Sequence, residues 1–198
     1  MLSDVVDLWK QQDEEAKSRC AAIMESDTNS LICSYAWVIG KGTGMQKVEQ
    51  LSPVINSVLS SSDGWAVLGK PGKNPRTGWY ANQANATFEI RVPIAQVPIH
   101  FLTIVAMKSY GPSWVGSKLE IKTTILRPSE AAATTKTNPF NVATFEVDGY
   151  HEIKTSVHFP TKFRLPGNGA SVGDVVMVEA RLIGGSVFKI NGIALCRF

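Results

Sequence analysis

From Leu31 onward the chain alternates apolar and polar residues at period two, in short runs separated by turn residues. The alternation is clean in Leu119, Ile121, Thr123 and Ile125, and in Val176 and Val178 set against Glu179 and Arg181. Each run therefore has one face for a core and one for solvent. The runs predict strands over 31–39, 65–68, 79–81, 87–92, 99–109, 119–126, 143–147, 153–159, 175–182 and 187–196, rich in Val, Ile, Thr, Phe and Tyr. Between them lie turn sequences such as KGTG at 41–44, SSDG at 61–64, SYGP at 109–112, LPGNG at 165–169 and IGG at 183–185. About ten strands at near-regular spacing, with no helix between them, predict an all-β, antiparallel, jelly-roll-like β-sandwich. The polar stretch 127–141 reads as a loop.

Residues 2–24 follow a different period. Leu2, Val5, Val6 and Trp9 recur at helical spacing, and Ala16, Cys20 and Ile23 continue a thinner stripe. Ser3 is placed to cap the helix. The apolar stripe is densest in the first two turns, which implies a packing partner there. The predicted organisation is thus a helix over 1–24 followed by a β-sandwich over 25–198.

Composition sets the function classes. At 198 residues and 44% hydrophobic, the chain can bury a sizeable core without metals or a disulfide framework. No run approaches the roughly 18 consecutive apolar residues of a membrane-spanning helix. The net charge is +3, but residues 1–60 carry five Lys/Arg against eight Asp/Glu. The remaining cations occur singly within strands, as in KLEIKTTIL at 118–126. That is a solvated face rather than the clustered footprint of a nucleic-acid binder.

The three cysteines, Cys20, Cys33 and Cys196, have neither CxxC spacing nor paired histidines, so no metal site or cofactor is implied. Cys33 and Cys196 lie in strands near the two ends of the sandwich. They are either a disulfide of an oxidising compartment or two buried thiols. Asn85-Ala86-Thr87 is a sequon, glycosylated if the chain is secreted.

Catalytic constellations are largely missing. The glycines of GKGTG are turn formers rather than a phosphate cradle. Of the three histidines, His100 sits in an apolar strand, while His151 and His158 would face opposite sides of an unbroken strand. Asp148, His151 and Glu152 in VDGYHE form a polar cluster that is either a ligand site or a shaped turn. Trp65, Trp79, Tyr80, Tyr110 and Trp114 lie near strand ends, where a sandwich presents its loops. Their rings either offer flat faces for sugar rings or plug the core.

Three segments carry a family likeness: KSYGPSWVGSKLEI at 108–121, VDGYHEIKTSVHF at 147–159 and GDVVMVEARLIGGSVFKINGIALC at 173–196. With GWYANQANATFEIRVP at 78–93, they resemble the β-sandwich that follows the catalytic domain in eukaryotic SGNH/GDSL-type hydrolase-like proteins. The likeness extends over roughly 30–198. MLSDVVDLWKQQDEEA at 1–16 resembles the last helix of that catalytic domain, with the Ser nucleophile, oxyanion-hole and Asp-x-x-His blocks of the family lacking ahead of it. The resemblance implies a non-catalytic accessory sandwich; taken with the aromatic set it points to a glycan ligand, and taken with the sequon to a secretory or extracellular location. Two other readings are an acyl-ester hydrolase of which this chain is a fragment, and a structural jelly-roll subunit of a large assembly. The last would usually carry a basic N-terminal arm, which is lacking here.

Overall fold

The computed structural model describes residues 33–39, 46–68, 77–128 and 141–198. The helix expected over 2–24 and Cys20 lie outside the described residues, as does most of the loop expected over 127–141. The described elements run in chain order as β1 (Cys33–Val38), α1 (Gln46–Asn56), β2 (Leu59–Asp63), β3 (Trp65–Leu68), β4 (Gly78–Ala81), β5 (Thr87–Pro93), β6 (Phe101–Lys108), β7 (Lys118–Leu126), β8 (Val142–Asp148), β9 (Val157–Arg164), β10 (Val175–Gly184) and β11 (Phe188–Cys196).

The strands form two antiparallel sheets. One has the order β3-β4-β11-β6-β9, with β1 also paired to β11; the other has the order β2-β5-β10-β7-β8. Strands β4 to β11 wind as a jelly roll, since 4-11-6-9 faces 5-10-7-8 and most connections cross from one sheet to the other. The fold class read from the period-two pattern is the one observed.

Inward positions of both sheets fill the core. Ile90 on β5, Leu102 and Ile104 on β6, Leu119 and Ile121 on β7, Val178 on β10, and Ile190, Ile193 and Leu195 on β11 are at or near zero exposure. Each such side chain contributes on the order of 1.5–3 kcal/mol by leaving water. At one end of the core Trp65, Trp79, Phe88 and Phe188 pack together. Trp65 meets Phe88 edge to face at 5.0 Å, and Trp79 lies 4.2 Å from the same ring. Between the edge strands β8 and β9, Phe145 stacks on Phe163 at 4.4 Å and closes the side of the sandwich.

Three elements depart from the sequence expectation. Helix α1 replaces part of what reads as connection; Leu51 and Ile55, one turn apart, enter the core while Glu49 and Gln50 face outward. Strand β2 is the serine-rich LSSSD, which reads as turn but forms an edge strand by pairing with β5 alone. Strand β9 begins at Val157 rather than at 153. Backbone bonds from Ser109 N–H to Gly149 O (2.9 Å) and from His151 N–H to Ser109 O (3.0 Å) hold the preceding residues in a loop, and Ile153 is 71% exposed. Pro160 is tolerated in β9 because that edge strand pairs only with β6.

Cys33 and Cys196 are register partners on β1 and β11 and are joined by a disulfide, with S–S 1.98 Å. Of the two readings left open by the residues, the structure has the bond. Tyr35, two residues along β1, donates its hydroxyl to Val54 O of α1 at 3.2 Å. Strand β1 is thereby held to both β11 and the helix.

Candidate functional site

The strand registers bring five turns to one end of the sandwich. Lys118 pairs with Asp148, Thr87 with Arg181, Lys108 with Val157 and Phe188 with Ala81. The connections β2–β3, β4–β5, β6–β7, β8–β9 and β10–β11 therefore all emerge there. The β6–β7 and β8–β9 loops are tied to each other by the Ser109 bonds, by Gly149 N–H to Ser117 O at 2.9 Å, and by the hydroxyls of Ser109 and Ser156 at 2.8 Å. The β10–β11 turn joins them through Ser117 Oγ, which donates to Val187 O at 2.5 Å. Gly185 of that turn has φ +68, and a Cβ on it would stand 2.8 Å from Ser117 Cα. Only glycine fits so close a backbone approach.

The residues singled out in the sequence divide over this framework. Tyr110 is 42% exposed and Trp114 half-buried, the latter in the short 3-10 turn Pro112–Trp114. Asp148 ends β8 beside Lys118, whose Nζ is 4.0 Å from Asp148 and 3.0 Å from Glu146. The hydrogen bond to Glu146, then its charge, holds the lysine pKa above its ordinary value. Glu152 is exposed, and His151 is half-buried with Nε2 3.2 Å from Lys108 O and Nδ1 without a hydrogen-bond partner. Tyr110, Trp114, Asp148, His151 and Glu152 thus share one end of the fold.

The other aromatics do not join them. Trp65 is 8% and Trp79 2% exposed, both facing inward into the aromatic core. Neither ring is a platform for a ligand; inward strand positions gave them to the core. Tyr80 alternates to the outer face of the other sheet, with Lys189 Nζ 5.0 Å above its ring. His100 lies at the far end, with Nδ1 2.9 Å from Asn168 O. The exposed Asn85 stands in the β4–β5 turn.

A concave feature lies elsewhere, on the outer face of β2-β5-β10-β7. A groove of about 350 Å³ is lined there by the outward side chains of Ser61, Thr87, Glu89, Glu120, Lys122, Glu179 and Arg181. Two cross-strand rows build it. One runs Thr87–Arg181–Glu120 and the next Ser61–Glu89–Glu179–Lys122. Lys122 Nζ lies 2.8 Å from Glu179, Arg91 Nε 2.7 Å from Glu89, and Arg181 Nη2 donates to Asn85 Oδ1 at 3.1 Å. Three carboxylates and two cations thus stand side by side at strand spacing, roughly 4.8 Å apart. In the sequence these residues read only as solvated strand faces. Their signal was the polar half of the alternation in TFEIR, KLEIK and VEAR, which locates a face but not the concavity. Among the described residues no group of three or more His, Cys, Asp and Glu is placed to hold a metal ion. Among them, too, no helix is long and apolar enough to cross a membrane.

No protein-family model matches the chain, and no curated protein matches it. Similar solved structures are β-sandwich modules and parts of larger enzymes. A carbohydrate-binding module of Cellvibrio mixtus lichenase 5A, in complex with cellotriose, has 11% identity and a TM-score of 0.37, covering 82% of this chain and 99% of that one. A family 6 carbohydrate-binding module from Clostridium cellulolyticum, in complex with xylose, has 14% identity and a TM-score of 0.40, covering 69% and 90%. For Arthrobacter globiformis T6 isomalto-dextranase complexed with panose the values are 12% and 0.39 over 67% of this chain, which spans 21% of that enzyme. Likeness this loose transfers neither a binding site nor a ligand. What the chain's own strands and registers establish is an antiparallel β-sandwich of jelly-roll type.

Proposed function

We propose that this chain is a non-catalytic carbohydrate-binding β-sandwich that accompanies an SGNH-type hydrolase. The observation that carries the binding reading is the groove on the β2-β5-β10-β7 face. Its donors, Lys122 and Arg181, share the face with the acceptors Glu89, Glu120 and Glu179, and Ser61 and Thr87 supply hydroxyls that do either. A neutral polyhydroxyl ligand can satisfy donors and acceptors at once. A polyanion cannot, because three carboxylates oppose it. The aromatic candidates point into the core, lie on the loops or, as Tyr80 does, stand on the other sheet, so binding here rests on hydrogen bonds. A groove open to solvent with such contacts gives weak affinity, on the order of 0.1–1 mM. The hydrolase association is supported by the three sequence segments, which map onto β6–β7, β8–β9 and β10–β11.

Affinity electrophoresis through soluble polysaccharides, followed by calorimetry with oligosaccharides, tests the binding. Retardation is expected on at least one polymer, with about 5- to 10-fold weaker binding in Glu120→Ala and in Arg181→Ala. Migration unchanged on every polysaccharide, or retardation indifferent to both substitutions, would overturn the reading. The association is tested upstream of Met1 in the genome, where an open reading frame continuing into a GDS-containing α/β domain is expected.

A further inference from the structure

We infer that Asn85 carries an N-linked oligosaccharide, attached at the rim of the groove. Three observations converge, none of which depends on what the groove binds. The sequon Asn85-Ala86-Thr87 falls in the β4–β5 turn at the loop end, where Asn85 and Thr87 are both exposed. Asn85 has φ +60, a left-handed conformation that asparagine tolerates better than most residues. Its Oδ1 accepts from Arg181 Nη2 at 3.1 Å, leaving Nδ2 without a partner among the described residues. Ala86, between them, is fully buried and its carbonyl accepts from Leu182 N–H at 2.9 Å. The sequon is thus pinned by its middle residue while its two reacting side chains stay outside the fold.

The disulfide supplies the compartment. A Cys33–Cys196 bond closing 163 residues of chain persists in oxidising surroundings and is rare in a reducing cytosol. Passage through such a compartment exposes the sequon to glycan transfer. In that reaction the donor is a polyprenyl diphosphate-linked oligosaccharide. Its anomeric C1–O bond breaks, a C1–N bond forms to Asn85 Nδ2, the amide loses one proton, and the lipid diphosphate leaves. No oxidant or reductant is involved. The finished glycan stands beside Arg181, which lines the groove.

The test is to direct the full chain through the secretory pathway of a eukaryotic host and weigh it. Secreted and retained fractions are both measured, before and after peptide-N-glycosidase. Added mass that the enzyme removes, converting the asparagine to aspartate, is expected in the wild type and absent from Asn85→Gln. Because a left-handed turn can reject glutamine, Thr87→Val and Thr87→Ser form a second pair. The first should lose the added mass and the second keep it. Wild-type chain of unmodified mass in both fractions, or added mass that survives Thr87→Val, would overturn the assignment.

Discussion

Glu89 and Glu179 are direct register partners on β5 and β10, with both carboxylates on the outer face of the sheet. Like charges placed directly across two strands destabilise their pairing. Here each has its own cation, Arg91 for Glu89 and Lys122 for Glu179. The pair is tolerable only while both cations remain. Lys122→Ala should therefore cost more than loss of an ordinary surface ion pair, about 0.5–1 kcal/mol. The side chains of Lys122 and Glu179 are 47% and 37% exposed, which keeps the figure within that range. Urea unfolding of Lys122→Ala, Glu89→Gln and the double variant checks it. The double variant should recover part of the loss, and strictly additive effects would contradict the coupling.

The Cys33–Cys196 bond closes almost the whole described sandwich. Loop entropy for a separation of 163 gives at most about 5 kcal/mol, and typical disulfides deliver about 2–4. Removing it with Cys33→Ser and Cys196→Ser together should lower stability by that amount without changing the sheet signal in circular dichroism. The wild-type chain, unfolded without reductant, should present one reactive thiol of its three cysteines. Three reactive thiols would show the bond to be absent.

Tyr35 links stability to pH. Burial pushes its phenol up from the ordinary 10.0 to about 12, with the nearby Trp37 side chain acting in the opposite sense. The unfolded chain gives up this proton near pH 10 while the folded chain keeps it. The contribution is thus full below pH 10 and is lost as pH rises from 10 to about 12. It amounts to about 1–2 kcal/mol, taken below its full value because part of the ring edge meets solvent. In a phenolate absorbance titration, Tyr35→Phe should remove the component that appears near pH 12. The same variant should cost about 1 kcal/mol at neutral pH through the lost bond to Val54 O. An unchanged titration curve would contradict the shift.

Trp65 separates packing from binding. Trp65→Ala should destabilise by about 3–5 kcal/mol, because the ring fills the core beside Trp79, Phe88 and Phe188. Trp65→Phe should keep the fold and leave polysaccharide retardation unchanged. A selective loss of binding in Trp65→Phe would return this ring to the ligand site.

The sandwich was legible because burial imposes a period of two. The outward charges of β5, β7 and β10 are as clear in that pattern as the inward Ile, Leu and Val. Edge strands were less legible. Strand β2 forms from LSSSD because β5 offers it a row of backbone partners, a cause absent from its own composition. The loop before β9 persists because Ser109, some forty residues earlier, takes its hydrogen bonds. The site was only half legible for the same reason. Alternation named the residues with outward faces and could not say which four strands lie side by side.

The sequence by itself determined the strands of the core and their two faces, since those follow from local pattern and backbone preference. Tertiary structure decided which aromatic rings are core, which cysteines meet and which charges share a groove. Those depend on contacts between residues dozens of positions apart. Trp65 and Tyr110 look alike in sequence, each beside a turn; only the packing of the two sheets sends one ring inward and leaves the other in solvent.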